Sequence, residues 1–150
     1  MSGMDDLVRW FGTQLNEDER IANAASWTED ATAWHAASSP FDTRGASQRW
    51  YVEDSLDEGV VTHVDPKASD DEGVARHIAE HDPARSLREV EAKRQVLRDL
   101  AQAEITLSTA DPGTAPHDLM TGAVNTLRRT VRLLALAHAD RPGYREGWRP

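Results

Sequence analysis

Apolar residues recur with a helical period at both ends of the chain and alternate only briefly in between. Near the start, Leu7, Phe11, Leu15, Ala22 and Ala25 fall close to one face. Trp10 and Ile21 lie beside that face, and Glu17, Asp18, Glu19 and Arg20 form the polar side. The spacing predicts a helix over 5–26. Asp5 and Asp6 suit its first turn, where carboxylates meet free N–H groups and the positive end of the helix dipole. Gly12 weakens it by about 1 kcal/mol relative to alanine. At the other end, Met120, Val124, Leu127, Val131, Leu134 and His138 predict a helix over about 118–139. Leu133 and Leu136 widen its apolar side, so it is expected to be the most buried helix. Asp140-Arg141-Pro142-Gly143 stops it. Tyr144 and Trp148, four apart, are expected to fold back on the core.

The middle of the chain is shorter-ranged. Trp27 and Trp34 sit among Thr, Ser, Asp and Ala, and Pro40 to Ala46 reads as loop. Gln48–Glu53 and Val60–Val64 have the aromatic and β-branched content of strands. With Asp54–Gly59 as the turn, they predict a β-hairpin with a loop of about five or six residues. A lone hairpin is marginal in water, so this one must pack on helices or gain a third strand near 33–37. After the polar stretch Asp65–Glu72, a short helix is expected over about 71–80, with Val74 and Ile78 inward. It stops near His81, because the residue before a proline is pushed out of the α region. Asp82 then caps a longer helix with Pro83 at its first position. Leu87, Val90, Leu97 and Leu100 or Ala101 form its stripe, Arg94 snorkels over the core edge, and Arg85–Glu89 and Glu89–Lys93 are spaced for side-chain pairs. Thr106 to His117 reads as loop. The fold class expected is α+β, mainly helical: three principal helices with a small β-hairpin inserted after the first, in one domain spanning 1–150.

Charge changes the picture more than composition does. Hydrophobic residues make up 39%, the mean hydropathy is -0.64 and the net charge is -9. Such a balance disfavours direct nucleic-acid binding, which needs clustered Lys and Arg on phosphates. Residues 1–72 hold 16 Asp or Glu against 5 Lys or Arg, and residues 73–150 hold 10 against 12. Either the two halves pair with each other, or the acidic half meets a basic partner. The chain has no cysteine, which removes disulfides, thiolate catalysis and cysteine-based zinc sites. No apolar run approaches a membrane span, and the first residues lack the basic and apolar regions of a signal peptide, so the expected address is cytoplasmic.

Two sets of residues carry candidate chemistry. His77, Glu80 and His81 spell H-x-x-E-H, in which two imidazoles four apart on a helix hold a zinc ion and the glutamate serves as general base. A third ligand would come from His63 or His117. Pro83 argues against this, since it breaks the helix at His81. The favoured reading is a helix–helix corner, with His81 near the negative end of the short helix. The second set faces partners. Trp27 is the expected exposed aromatic anchor. Arg128 and Arg132, with Arg129, lie away from the Leu127–Leu134 face; they bind phosphate or, as favoured here, pair with acids such as Glu17, Asp18 and Glu19. Glycine-rich phosphate loops and the G-x-S-x-G elbow are absent, and no cofactor is expected.

Several segments in order carry a resemblance: Asp5-Asp6-Leu7-Val8, Leu15 to Arg20, His77 to Arg85, Glu89 to Arg94, Thr126-Leu127-Arg128, Arg132 to Leu136 and Asp140 to Pro150. Together they resemble a family of unknown function from actinobacteria and their phages. The resemblance implies that a basic or apolar residue often replaces Glu80, which removes the general base. It also implies cysteines before the last helix, some as Cys-x-x-Cys, and this chain has none. Around 27–48 the chain departs from the Gly-Pro-Trp turn the family implies before Trp34. The expectation is therefore a non-enzymatic, acidic, cytoplasmic interaction or regulatory protein, phage-linked, with a protein partner and room for a homodimer. The alternatives are a metal-dependent hydrolase using His77, Glu80 and His81, and an acidic nucleic-acid mimic.

Overall fold

One helix, a three-stranded antiparallel sheet and three further helices follow one another in a computed structural model that describes residues 3–39, 49–66 and 69–150. The order is α1 (Gly3–Ala24), a 3-10 turn (Glu29–Ala31), β1 (Trp34–Ser39), β2 (Arg49–Asp54), β3 (Gly59–Val64), α2 (Asp71–Glu80), α3 (Pro83–Thr109) and α4 (Ala115–Ala135). Short 3-10 turns at Leu136–His138 and Glu146–Trp148 complete it. The expected loop at Pro40–Ala46 and the strand start at Gln48 lie outside the described residues. Among the described residues no helix is long and apolar enough to cross a membrane. Internal contacts group the chain into two compact units, Met1–Glu17 with Val90–Pro150, and Asp18–Glu89.

The first unit is helical. Leu7, Phe11 and Leu15 are each wholly buried, and their four-residue spacing stacks them on one side of α1. Val90 and Leu100 of α3, Val124 and Val131 of α4, and Trp148 close the same core. The connection before α4 is shorter than the Thr106–His117 loop expected. α3 continues to Thr109 and α4 starts at Ala115, because Thr114 caps it: its hydroxyl accepts from the His117 N–H at 3.4 Å, with Pro116 in the first turn. The apolar side of α4 is also narrower than expected. Its buried positions are Val124, Val131 and Ala135, whereas Leu133 is 48% exposed. After α4 the tail returns to the core. Gly143 turns it at φ +87°, where an added Cβ would lie 3.0 Å from Trp10 Nε1. The Trp10 indole N–H donates to the Pro142 carbonyl at 3.0 Å. Tyr144 and Trp148 then pack on the Trp10 ring with centroids 5.4 and 5.5 Å away.

The second unit corrects the hairpin. β2 and β3 do pair antiparallel, but β1 adds a third strand, in the order β1-β2-β3. The added strand meets the need of a marginal hairpin for more partners. Alternation then divides the sheet. Trp34, Ala36, Val52 and Asp54 share one face, and His35, Ala37, Tyr51 and Glu53 share the other. α2 packs on the first face through Ala75 and Ala79, four apart and buried with Val52 and Val64. Their small side chains let the helix lie close. Among the described residues the fold thus has four helices, counting the short α2, and a three-stranded sheet rather than a hairpin.

Candidate functional site

Asp54 closes β2 and is 1% exposed, a position where an unpaired carboxylate would be costly. It is well partnered. Its Oδ1 accepts from the backbone N–H groups of Leu56 at 2.8 Å and Glu58 at 3.1 Å, and its Oδ2 from the Trp27 indole N–H at 2.8 Å. Burial works to raise its pKa, but the hydrogen bonds from Trp27, Glu58 and Leu56 outweigh it and hold the carboxyl below its ordinary value. Asp54 thereby fixes the β2–β3 turn and the ring of Trp27. That ring is 68% exposed and Leu56 is 47% exposed, so two apolar side chains stand in solvent on one polar anchor. Nearby, the Ser55 N–H donates to the Ala33 carbonyl at 2.9 Å and its hydroxyl to the Asp30 carbonyl, tying the turn to the Glu29–Ala31 segment.

On the opposite face of the sheet, His35 and Glu53 are cross-strand partners, with Nε2 3.2 Å from Oε1. Asp57 arrives from the β2–β3 turn with φ +62°, a left-handed conformation that aspartate tolerates better than most residues. One ligand-type atom from each of His35, Glu53 and Asp57 lies within 4.8 Å of the other two. Sequence reading missed this trio. Its signal is the strand parity of β1, invisible until Trp34–Ser39 is known to pair with β2.

The histidines of the H-x-x-E-H pattern are adjacent and exposed, with ring centroids 4.3 Å apart. His81 is the C-cap of α2, and its Nδ1 lies 2.8 Å from the His77 carbonyl. A carbonyl only accepts, so Nδ1 is the donor in this contact. The helix break is where Pro83 put it. Asp82 caps α3 by accepting from the Arg85 N–H at 2.7 Å, and its second oxygen accepts from the Trp34 N–H at 3.1 Å. Arg85 also donates to the Glu80 carbonyl at 3.1 Å. Asp82 and Arg85 thus hold the corner together with His81. His63, proposed as a third ligand, stands 3.7 Å from Asp65 on β3's side. His117 lies in the first turn of α4, 3.8 Å from Asp118.

Arg128 and Arg132, weighed between a partner and internal pairing, both have internal acceptors. Arg128 places Nε and Nη2 on Glu104 Oε1 at 3.0 and 2.7 Å, so its acid comes from α3. Arg132 donates to the carbonyls of Gly147 and Arg149, both at 3.3 Å. With Arg129 and Asn125 they line a shallow concavity of about 390 Å³. Charge separates the units. Asp18–Glu89 carries 16 acids and 7 Lys or Arg, hence all of the net -9, and the other unit carries 10 of each.

No curated protein and no solved structure matches the chain. Residues 4–150 match the pattern of DUF6221, and the chain belongs to that family, one of unknown function.

Proposed function

We propose that this chain is a non-enzymatic, acidic interaction protein that docks a basic partner through Trp27 and Leu56. The observation that carries the reading is an exposed indole held in one orientation by a buried carboxylate. A ring fixed before binding loses little conformational entropy when it docks, and tryptophan is prominent among interface hot spots. Glu29, Asp30, Asp57 and Glu58 are exposed in the segments that flank the two apolar side chains, which suits a partner presenting an apolar pocket rimmed by Lys and Arg. The reading keeps the regulatory role, the cytoplasmic address and the actinobacterial or phage-linked setting expected from the sequence. It treats residues 1–150 as one domain, supported by a family match that runs through both units.

The nucleic-acid mimic draws on the same charge but has less support. Asp54, Asp70 and Asp82 spend their carboxylates on backbone N–H groups of their own turns and helices rather than in an exposed row. The hydrolase reading, on His77, Glu80 and His81, is supported by little beyond two adjacent imidazoles. The test uses an array of basic peptides with and without aliphatic or aromatic residues, measured by fluorescence anisotropy at low and physiological salt. Wild-type protein is expected to bind the apolar-bearing peptides, more weakly at higher salt. Trp27→Ala should weaken binding by roughly tenfold or more. Trp27→Phe, which keeps a smaller aromatic ring without the indole N–H, should fall between them. Binding indifferent to Trp27 and to salt, or no binding by the wild type, would remove the reading.

A further inference from the structure

We infer that the outer face of the sheet is a binding site for a divalent transition ion of the Zn²⁺ class, held by His35, Glu53 and Asp57. The three donors come from separate places and converge by construction. His35 and Glu53 face each other across β1 and β2, so their side chains leave the same side of the sheet. Asp57 is returned toward them by the β2–β3 turn, where its N–H bonds the Asp54 carbonyl at 3.0 Å. With one atom of each within 4.8 Å of the others, small side-chain rotations bring all three to the roughly 2.0–2.2 Å at which imidazole nitrogen and carboxylate oxygen bind Zn²⁺.

The local charge also asks for a cation. The trio brings two carboxylates together, and the single imidazole nitrogen engages only Glu53. The Asp57 carboxylate has no hydrogen bond or ion pair to another described residue. Asp54, a third carboxylate, is buried one position beyond Glu53 on the same strand. Two carboxylates and a neutral imidazole balance a doubly charged ion. The donor set also selects the ion. Ca²⁺ and Mg²⁺ favour all-oxygen shells, and soft ions favour sulfur, whereas one nitrogen with two oxygens suits borderline divalent ions. Both His35 and Asp57 are exposed, which leaves the remaining coordination positions to water or to a partner's side chain. The His77–His81 pair offers two imidazoles and no carboxylate in the same group, so it is the weaker of the two candidates.

The test titrates Zn²⁺ alone into the full chain, made without a histidine tag, by calorimetry, with the His35 ring signals followed by NMR. One equivalent is expected to bind and to shift those signals. His35→Gln and Asp57→Gly should each weaken binding by tenfold or more, and His77→Ala should leave it unchanged. Asp57→Gly is the decisive variant, because glycine adopts φ +62° freely and so removes the carboxylate without disturbing the turn. Far-UV circular dichroism confirms that each variant is folded. Binding that survives Asp57→Gly but is lost in His77→Ala would move the site to the end of α2 and overturn the inference, as would the absence of saturable one-to-one binding.

Discussion

The two units solve the same problem with different materials. The first buries large apolar side chains, Leu7, Phe11, Leu15, Leu100 and Trp148, and its charges cancel. The second buries Val52, Val64, Ala75 and Ala79, adds a carboxylate at Asp54, and carries the whole net charge. Apolar burial stabilises by about 25 cal/mol per Å², so a core of valine and alanine gains less from each side chain than one of phenylalanine and leucine. Hydrogen bonds make up part of the difference at defined points. Asp54 fixes the hairpin turn, Asp70 accepts from the Gly73 N–H at 2.8 Å to cap α2, and Asp82 joins β1 to α3. The Trp27 anchor, the His35–Glu53–Asp57 trio and the His77–His81 corner fall in the second unit, where polar groups as well as packing set the geometry.

The sharpest way to probe that contrast is to empty each core in turn. Phe11→Ala should cost about 3–5 kcal/mol, and Val52→Ala, which removes two buried methyl groups and leaves a smaller cavity, about 2 kcal/mol. Urea denaturation followed by circular dichroism compares them. Equal losses would mean that the second unit is held as tightly by packing as the first. Acid should act next, and on the second unit. Folding lowers the Asp54 carboxyl below its ordinary value of about 3.9, so the unfolded chain takes up that proton first as pH falls. Its contribution is complete above that value and is lost as pH drops through the folded-state value. Thermal melts from neutral to acid pH should show this loss in wild-type protein, and a shallower one in Asp54→Asn, which starts less stable. Identical pH profiles would dissociate Asp54 from acid stability. The smallest effect is expected in the first unit, at Arg128→Ala. The Arg128–Glu104 pair is partly exposed at side-chain accessibilities of 44% and 35%, so its loss should change stability by no more than about 1 kcal/mol. A larger loss would show that the neutral unit also leans on its charges.

Legibility followed the range of the interactions. The α3 start was plain because Asp82 and Pro83 act within one turn of the helix they begin. The Phe11 stripe was plain because a 3.6-residue period survives in one strand of text. The third strand was visible only as a possibility, since Trp34–Ser39 is polar and alanine-rich and owes its strand to pairing with β2. Leu133 misled in the other direction: being leucine on an apolar helix does not decide whether a neighbour covers it. Among the site residues, the exposure of Trp27 was legible from its polar surroundings, but its anchor is 27 positions away. His77 and His81 stood out as a motif, whereas His35, Glu53 and Asp57 have no motif at all.

By itself, then, the sequence determined where the helices fall, the Asp82 cap and corner at Pro83, the β2–β3 turn and the excess of acid, all of which depend on residues near one another or on simple counts. The tertiary structure decided the rest. It chose which apolar positions are covered, made Asp54 a buried anchor, paired Arg128 with Glu104, and set His35 opposite Glu53 with Asp57 beside them. The physical reason is that strand pairing and burial are long-range: a side chain's face and partner depend on what the fold brings to it, and no local pattern encodes that.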